Sequence, residues 1–322
     1  MTRLTRRTFA LGAAAAPLSL ALGQPGAAQS ADGSGDAAKI PALFDAPLGQ
    51  YRITSIFDGM VPLTRELFSG LPEAEVTAAL EGAGLFGEAL SAPVTAFLLQ
   101  SQERTILIDA GMGDIDAFGD GLGRLAAGLG AMGVAPADVD TVILTHAHLD
   151  HLGGLVSGGA AVFENAELVM SDVEHGFWSD AAAAAAAPAD FAWMFGLATG
   201  VFSAYGDRLR LVASGTEIAP GIQFEVSPGH TPGHGVVHID GGDRSLLMVA
   251  DTLHNVTLHT ALPTIGFGFD TDSALAAQSR LKIFDRVAAD GLLVAATHAH
   301  FPGFGRIVHS GDAYRYVPAS WA

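Results

Sequence analysis

Residues 145–154 read "THAHLDHLGG" and place His146, His148, Asp150 and His151 within six positions, directly behind the apolar run "TVIL". Imidazole nitrogens and carboxylate oxygens are ligands for divalent metal ions, so this spacing points to metal chemistry. If residues 141–145 form a strand, His146 and His148 leave its end on one face. Their Cα atoms would then be roughly 6.5–7 Å apart, from a rise of ~3.3 Å per residue, close enough to share an ion. Asp150 and His151 are expected in the loop that follows, where Gly153 and Gly154 let the backbone turn, and can face a second position beside the first. A helical site would favour histidines at i and i+4 instead. With twelve histidines in the chain some are scattered without purpose, but this density behind a strand and before two glycines sets these apart.

One cluster does not complete a metal site, and the ends of later strand-like runs supply partners. His230 follows a strand and a Pro-Gly turn in "FEVSPGHTPGH", and Asp251 ends the apolar run "SLLMVADT", where an unpaired carboxylate would be costly to bury. The run "LLVAATHAH" offers His298 at its end and His300 just past it. The chain has no cysteine, so any metal must be held by nitrogen and oxygen.

The elements that would position these residues are short and alternate with turns. "YRITSIFDG", "PVTAFLLQ", "RTILIDAG", "DTVILTHAH" and "AELVMS" read as a first set of strands. "RLRLVAS", "IQFEVSPG", "GVVHIDGG", "SLLMVADT" and "LLVAATHAH" read as a second. Helical patterns cover 73–83, 121–132, 173–205 and 272–290, the last opening on the N-cap Asp272 and closing before Gly291. The seven alanines at 181–187, halted by Pro188, read as an exposed or frayed helix with no assigned role. Two strand-rich halves with helices between them predict an α/β domain of two sheets packed face to face and covered by helices. No boundary divides residues 48–322, which are expected to form one domain.

Composition narrows the function classes. Formal net charge is −18, and Lys39 and Lys282 are the only lysines, so the surface would repel nucleic-acid phosphates. The N-terminus has a basic start with Arg6-Arg7, an alanine- and leucine-rich stretch and small residues near Ala28. It resembles a twin-arginine export signal over 1–28, and its apolar run is short of the ~20 residues that a membrane span needs. A periplasmic or secreted protein without a stable membrane anchor is therefore expected. Residues 29–47 read as a linker or N-terminal arm.

The ordered set H-x-H-x-D-H, Gly-His after a strand, a strand-ending Asp and a final His resembles the metallo-β-lactamase superfamily over roughly residues 50–318. That resemblance implies an αββα sandwich. It also implies that His146, His148 and His230 bind one metal, that Asp150, His151 and the last histidine bind a second, and that Asp251 bridges them. "ATHAHFPGFGRIVHSGDAYRYVPASW" is similar to the C-terminal region of methyl parathion hydrolase-like members, where a ligand histidine stands three residues before F-P-G. This selects His298 over His300, which becomes a pocket-lining or solvated residue. Asp109 in "TILIDAG" resembles the strand-ending aspartate that orients a metal-bound histidine. His234 reads as a turn residue or a support for the site, and Asp58-Gly59 as pocket floor or turn. His175, His238, His254, His259 and His309 have no supporting spacing, although His254 lies close behind Asp251.

The resemblance implies two divalent ions per chain, zinc first, with manganese, cobalt or iron also suited to nitrogen and oxygen ligands. Such a pair shares a hydroxide that attacks a lactone, ester or phosphotriester, with Asp150 both ligating and handling a proton. Phe118, Phe177, Trp178, Phe191, Trp193, Phe195 and Phe267 are candidates for an apolar pocket wall suited to a small, neutral or apolar substrate. A homodimer is compatible with these features. The alternatives are a metallo-β-lactamase acting on β-lactams and an iron-dependent redox member of the superfamily.

Overall fold

The computed structural model describes residues 41–87, 89–118, 121–189 and 191–320. Residues 1–28, read as an export signal, and the first part of the arm lie outside the described residues.

Two seven-stranded sheets form the body. In the first, the strands run in the order Ala42–Leu48, Tyr51–Thr64, Ala89–Gln100, Thr105–Ile108, Thr141–Ile143, Glu167–Ser171 and Leu209–Val212. The first three neighbouring pairs are antiparallel and the last three parallel. The second sheet orders Thr216–Ala219, Ile222–Val226, Gly235–Asp240, Ser245–Met248, Leu293–Ala295, Phe304–Ser310 and Ala313–Pro318. It is antiparallel except where Ser245–Met248 lies parallel to Leu293–Ala295.

Strand periodicity explains the layering. Ile106, Ile108, Leu246 and Met248 join the buried cluster between the sheets, while Leu107 faces a second cluster and Leu247 a third, each on an outer face. Alternate residues on opposite faces of a strand produce this division. The outer face of the second sheet is covered by the helix Ser273–Asp290 through Ile283, Phe284 and Val287. That helix is capped by Asp272 and stops where Gly291 takes φ 62°. Helix, sheet, sheet, helix is the predicted αββα order.

Several local expectations differ from the structure. Residues 42–47, read as part of an arm, lie in the first strand, paired through Leu48↔Tyr51 with its neighbour. "RLRLVAS", assigned to the second set, lies in the first sheet beside Glu167–Ser171. The helix Ala192–Tyr205 makes it the return strand of a β-α-β unit, a partnership that alternation alone does not specify. The single helical pattern over 173–205 is three helices, Asp172–Trp178, Ala181–Ala186 and Ala192–Tyr205. Ser171 and Asp180 cap the first two by accepting backbone N–H bonds, and Pro188 separates the third.

Candidate metal centre

The strand Thr141–Ile143 ends three residues before His146, and Thr145 fixes the exit of the chain. Its backbone N–H and its hydroxyl both donate to the Asp109 carboxylate, at 2.8 and 2.9 Å. Asp109 holds an uncommon φ of 57° for a residue with a side chain, at the end of the neighbouring strand. Beyond it, His148 is the N-cap of the short helix Leu149–Leu152, so Asp150 and His151 lie on a helical turn rather than in the expected loop. Gly153 and Gly154 also act differently from expectation. Gly153 has an ordinary φ of −59°. A Cβ at Gly153 or Gly154 would come 2.2 Å from Met112 O or 2.0 Å from Ala110 O, so these glycines permit close backbone approach.

The structure brings His146, His148, His230 and Asp251 into one group, and Asp150, His151 and His298 into another, each with its ligand atoms within 4.8 Å of one another. His146 Nε2 lies 3.1 Å from His148 Nδ1, which lies 2.9 Å from His230 Nε2. Asp251 stands between the groups. Its Oδ2 is 3.5 Å from His146 Nε2 and 3.2 Å from His230 Nε2, while its Oδ1 is 3.1 Å from His151 Nε2 and 3.3 Å from His298 Nε2. His300 is exposed and outside both groups.

Four of the five imidazoles are oriented from behind. His151 Nδ1 donates to Asp109 at 2.8 Å, His230 Nδ1 to Asp270 at 3.0 Å and His298 Nδ1 to Pro93 O at 2.7 Å. His146 Nδ1 lies 3.1 Å from Thr145 Oγ1, whose own proton is committed to Asp109. Holding a proton on the outer nitrogen leaves the inner one as an acceptor. His151 Nε2 and Asp251 Oδ1 are buried and 3.1 Å apart, yet neither makes a well-formed hydrogen bond among the described residues, as atoms directed at a metal ion would not.

The electrostatics follow from burial and charge. Burial holds His146 and His148 well below the ordinary imidazole pKa, and neighbouring imidazoles add to this. Burial also disfavours charge on His151, His230 and His298, but the surrounding carboxylates outweigh it; His230 is raised to about 9. Burial would raise Asp251, yet the imidazoles around it hold its carboxyl well below the usual range.

Outside these groups the structure assigns roles that the sequence left open. His234 accepts the Asp251 N–H at Nε2 (3.1 Å) and donates from Nδ1 to Ser227 O (3.0 Å), and burial lowers its pKa to about 3. It therefore fixes the backbone of Asp251, next to Ala250 at φ 42°. His254 places Nε2 3.0 Å from Asp251 Oδ2 and stacks on Phe267 with ring centroids 3.8 Å apart. Its only signal in the sequence is its place three residues after Asp251. Asp58 is a buried support, accepting backbone bonds from Met112, Gly123 and Leu125, and Gly59 sits at an irregularity of the strand pairing. Arg280, fully buried, donates to the carbonyls of Thr252, Pro263 and Ile265 and so ties down the segment that carries His254. His175, His238 and His309 join neither group.

His259 supports the same segment, accepting the backbone N–H of His254 at 3.0 Å. Burial, followed by the charge of Arg280, holds it well below the ordinary histidine pKa. Its folded pKa therefore lies below the unfolded ~6.5, so its contribution is complete above that pH and is lost as pH falls through and below it. The metal-free protein is expected to lose up to about 1.4 kcal/mol per pH unit from this residue in that window. Urea midpoints of wild type and His259→Gln between pH 8 and 5 test it. Equal slopes would contradict the assignment.

A cavity of about 90 Å³ opens on the cluster, walled by Val61, Leu63, Leu67, Phe118, Met194, Phe267 and Phe269. On the other side of His148 and Phe269, a cleft of about 390 Å³ is lined by Phe177, Trp178, Phe191, Phe195 and Ala183, Ala186 and Ala187. The alanine run thus forms a wall that leaves space. Trp193 lines neither cavity, and Phe269, which lines both, carried no signal in the sequence.

Comparison with known proteins agrees with this geometry. A family model described as the metallo-beta-lactamase superfamily matches residues 92–298. An N-acyl homoserine lactonase of Bacillus cereus is 26% identical over 214 residues, covering 61% of this chain and 78% of that protein. Among solved structures, the hydrolase AbOPH, of the beta-lactamase superfamily, superposes with a TM-score of 0.81 at 29% identity, over 88% of this chain and 99% of that one. The dizinc quorum-quenching lactonase AidC, in complex with a product, gives 0.81 at 27% identity and the same coverage.

Proposed function

The chain belongs to the metallo-beta-lactamase superfamily, and from that premise we propose that this metal-dependent hydrolase opens a neutral lactone bearing an apolar chain. The observation that carries the reading is the convergence of two ligand groups on one carboxylate, Asp251, beneath an apolar wall. His146, His148, His230 and Asp251 would hold one divalent ion, and Asp150, His151, His298 and Asp251 the other. The buried His151 Nε2 and Asp251 Oδ1, neither in a well-formed hydrogen bond, fit that occupancy. Nitrogen and oxygen donors suit zinc, with manganese, cobalt or iron as the other candidates. Bound there, the ions supply an activated water and an electrophile for the carbonyl oxygen.

The chain's own residues do the rest. Asp150 is the carboxylate nearer to solvent, its side chain 15% exposed against 3% for Asp251. With one oxygen turned to the metals, its other oxygen can take a proton from the attacking water and return it to the leaving alkoxide. Phe118, Met194, Phe267 and Phe269 exclude bulk water and offer a neutral ring no competing polar contact. The adjoining cleft has room for an acyl chain, and the net charge of −18 disfavours polyanionic substrates. The lactonases among the relatives support the same substrate class. The N-terminal segment supports a further proposal, export to the periplasm or beyond.

The test is metal content together with turnover of N-acyl homoserine lactones of short and long chain, aryl esters, phosphotriesters and β-lactams. Two ions per chain and preference for long-chain lactones are expected. Less than one ion, no lactone opening after metal loading, or β-lactams as the best substrates would overturn the reading.

A further inference from the structure

Glu174 is the third residue of the helix Asp172–Trp178 and is fully buried, and no lysine or arginine among the described residues forms an ion pair with it. A carboxylate in that position is costly unless each lone pair is met. Here they are. Oε1 accepts from the backbone N–H of Ala147 at 3.0 Å and from Trp178 Nε1 at 2.7 Å, and Oε2 accepts from Thr231 Oγ1 at 2.6 Å and from the Gly233 N–H at 2.9 Å. Burial pushes its pKa up, and the four donated bonds oppose that push.

The identity of the donors gives the arrangement its meaning. Ala147 lies between His146 and His148, and Thr231 follows His230. One carboxylate therefore joins the two loops that carry the three histidines of one metal group, although the loops are more than eighty residues apart in the chain. The fit is close, since a Cβ on Gly233 would come 2.1 Å from Glu174 N. None of the four bonds reaches Asp150, His151 or His298.

We propose that Glu174 is a positioning residue for the first metal, clamping the His146–His148 loop to the His230 loop so that the three imidazoles meet at one ion. The inference rests on the two-metal reading and not on the choice of substrate. It also explains the residue type. Only an acceptor without a proton can meet four donors, and a glutamine would set its NH₂ against two of them. Removing a group that orients ligands in this way typically weakens metal binding by about 10- to 100-fold.

The experiment is a chelator-competition titration of the full-length protein with cobalt(II), read by the visible absorption bands and without substrate. In wild type, two binding steps are expected. In Glu174→Gln, the step belonging to the three-histidine group should weaken by about 10- to 100-fold with altered bands, while the step belonging to Asp150, His151 and His298 moves by less than about 3-fold. Thr231→Val, which removes a single donor, should weaken the same step less, and it decides the matter if Glu174→Gln does not fold. Unchanged steps, or equal weakening of both, would overturn the role, since a general packing defect would not discriminate between the groups. A wild-type protein that binds fewer than two ions overturns the two-metal reading and the clamp together. Two ions without lactone turnover overturn only the substrate.

Discussion

Asp251→Ala is expected to lower the bound metal from two ions to at most one and to reduce turnover on the order of 10³-fold or more, from the several kcal/mol that a metal pair contributes to the transition state. The size follows from position. Asp251 Oδ2 faces His146 and His230 and Oδ1 faces His151 and His298, so on the proposed ligand set one substitution would take a ligand atom from both groups. His148→Ala, by comparison, removes one nitrogen from one group. Asp251→Asn should behave like the alanine variant, because its NH₂ has no lone pair to offer an ion and would donate to the imidazole nitrogens that must face one. Metal analysis beside steady-state kinetics, at saturating metal, separates the two effects. Full metal content in Asp251→Ala would contradict the bridging assignment. Near-normal metal with lost turnover would move Asp251 from ligand to proton carrier.

Asp58→Ala is the second large effect, and it concerns stability. Asp58 is completely buried and accepts backbone bonds from Met112 at 2.9 Å, Gly123 at 3.1 Å and Leu125 at 2.8 Å. Truncation leaves three N–H groups without their partner in the interior. Each such group costs roughly 1–3 kcal/mol, so a loss of about 3 kcal/mol or more is expected, a large share of the ~5–15 kcal/mol that holds a domain together. The carboxylate is closely enclosed in the wild type, where a Cβ on Gly111 would stand only 2.6 Å from its carboxyl carbon. Denaturant midpoints of both proteins under the same metal concentration measure this. A shift under 1 kcal/mol would mean that the loop finds other acceptors.

These variants also mark what sequence can reveal. His146, His148, Asp150 and His151 were legible because their chemistry is concentrated in a few consecutive residues. His230, Asp251 and His298 were legible because each follows an apolar run. The turn that carries Asp150 and His151 looks like a loop in the sequence because Leu149–Leu152 is too short to show a helical period. The sheet to which Leu209–Val212 belongs is hidden in the sequence for a different reason. Alternation reports which face is buried, whereas the partner strand is chosen by packing distant in sequence. Glu174, Asp270, His259 and Arg280 gave no signal for the same cause: each has meaning only through residues brought near by the fold. Asp58 looks like pocket floor or a turn in the sequence, because the three N–H groups that it satisfies lie more than fifty residues onward.

The distribution of ligands over the two sheets has a mechanical consequence. His146 and His148 extend from the first sheet, while His230, Asp251 and His298 extend from the second. On the proposed ligand set, the ions are rivets through the sandwich, fastening His146 to His298 across most of the folded chain. A chain without cysteine has no disulfide to do this, and a metal clip that closes a long loop restricts the unfolded ensemble in the same manner. The ions would thus set how long the fold survives as well as what it hydrolyses.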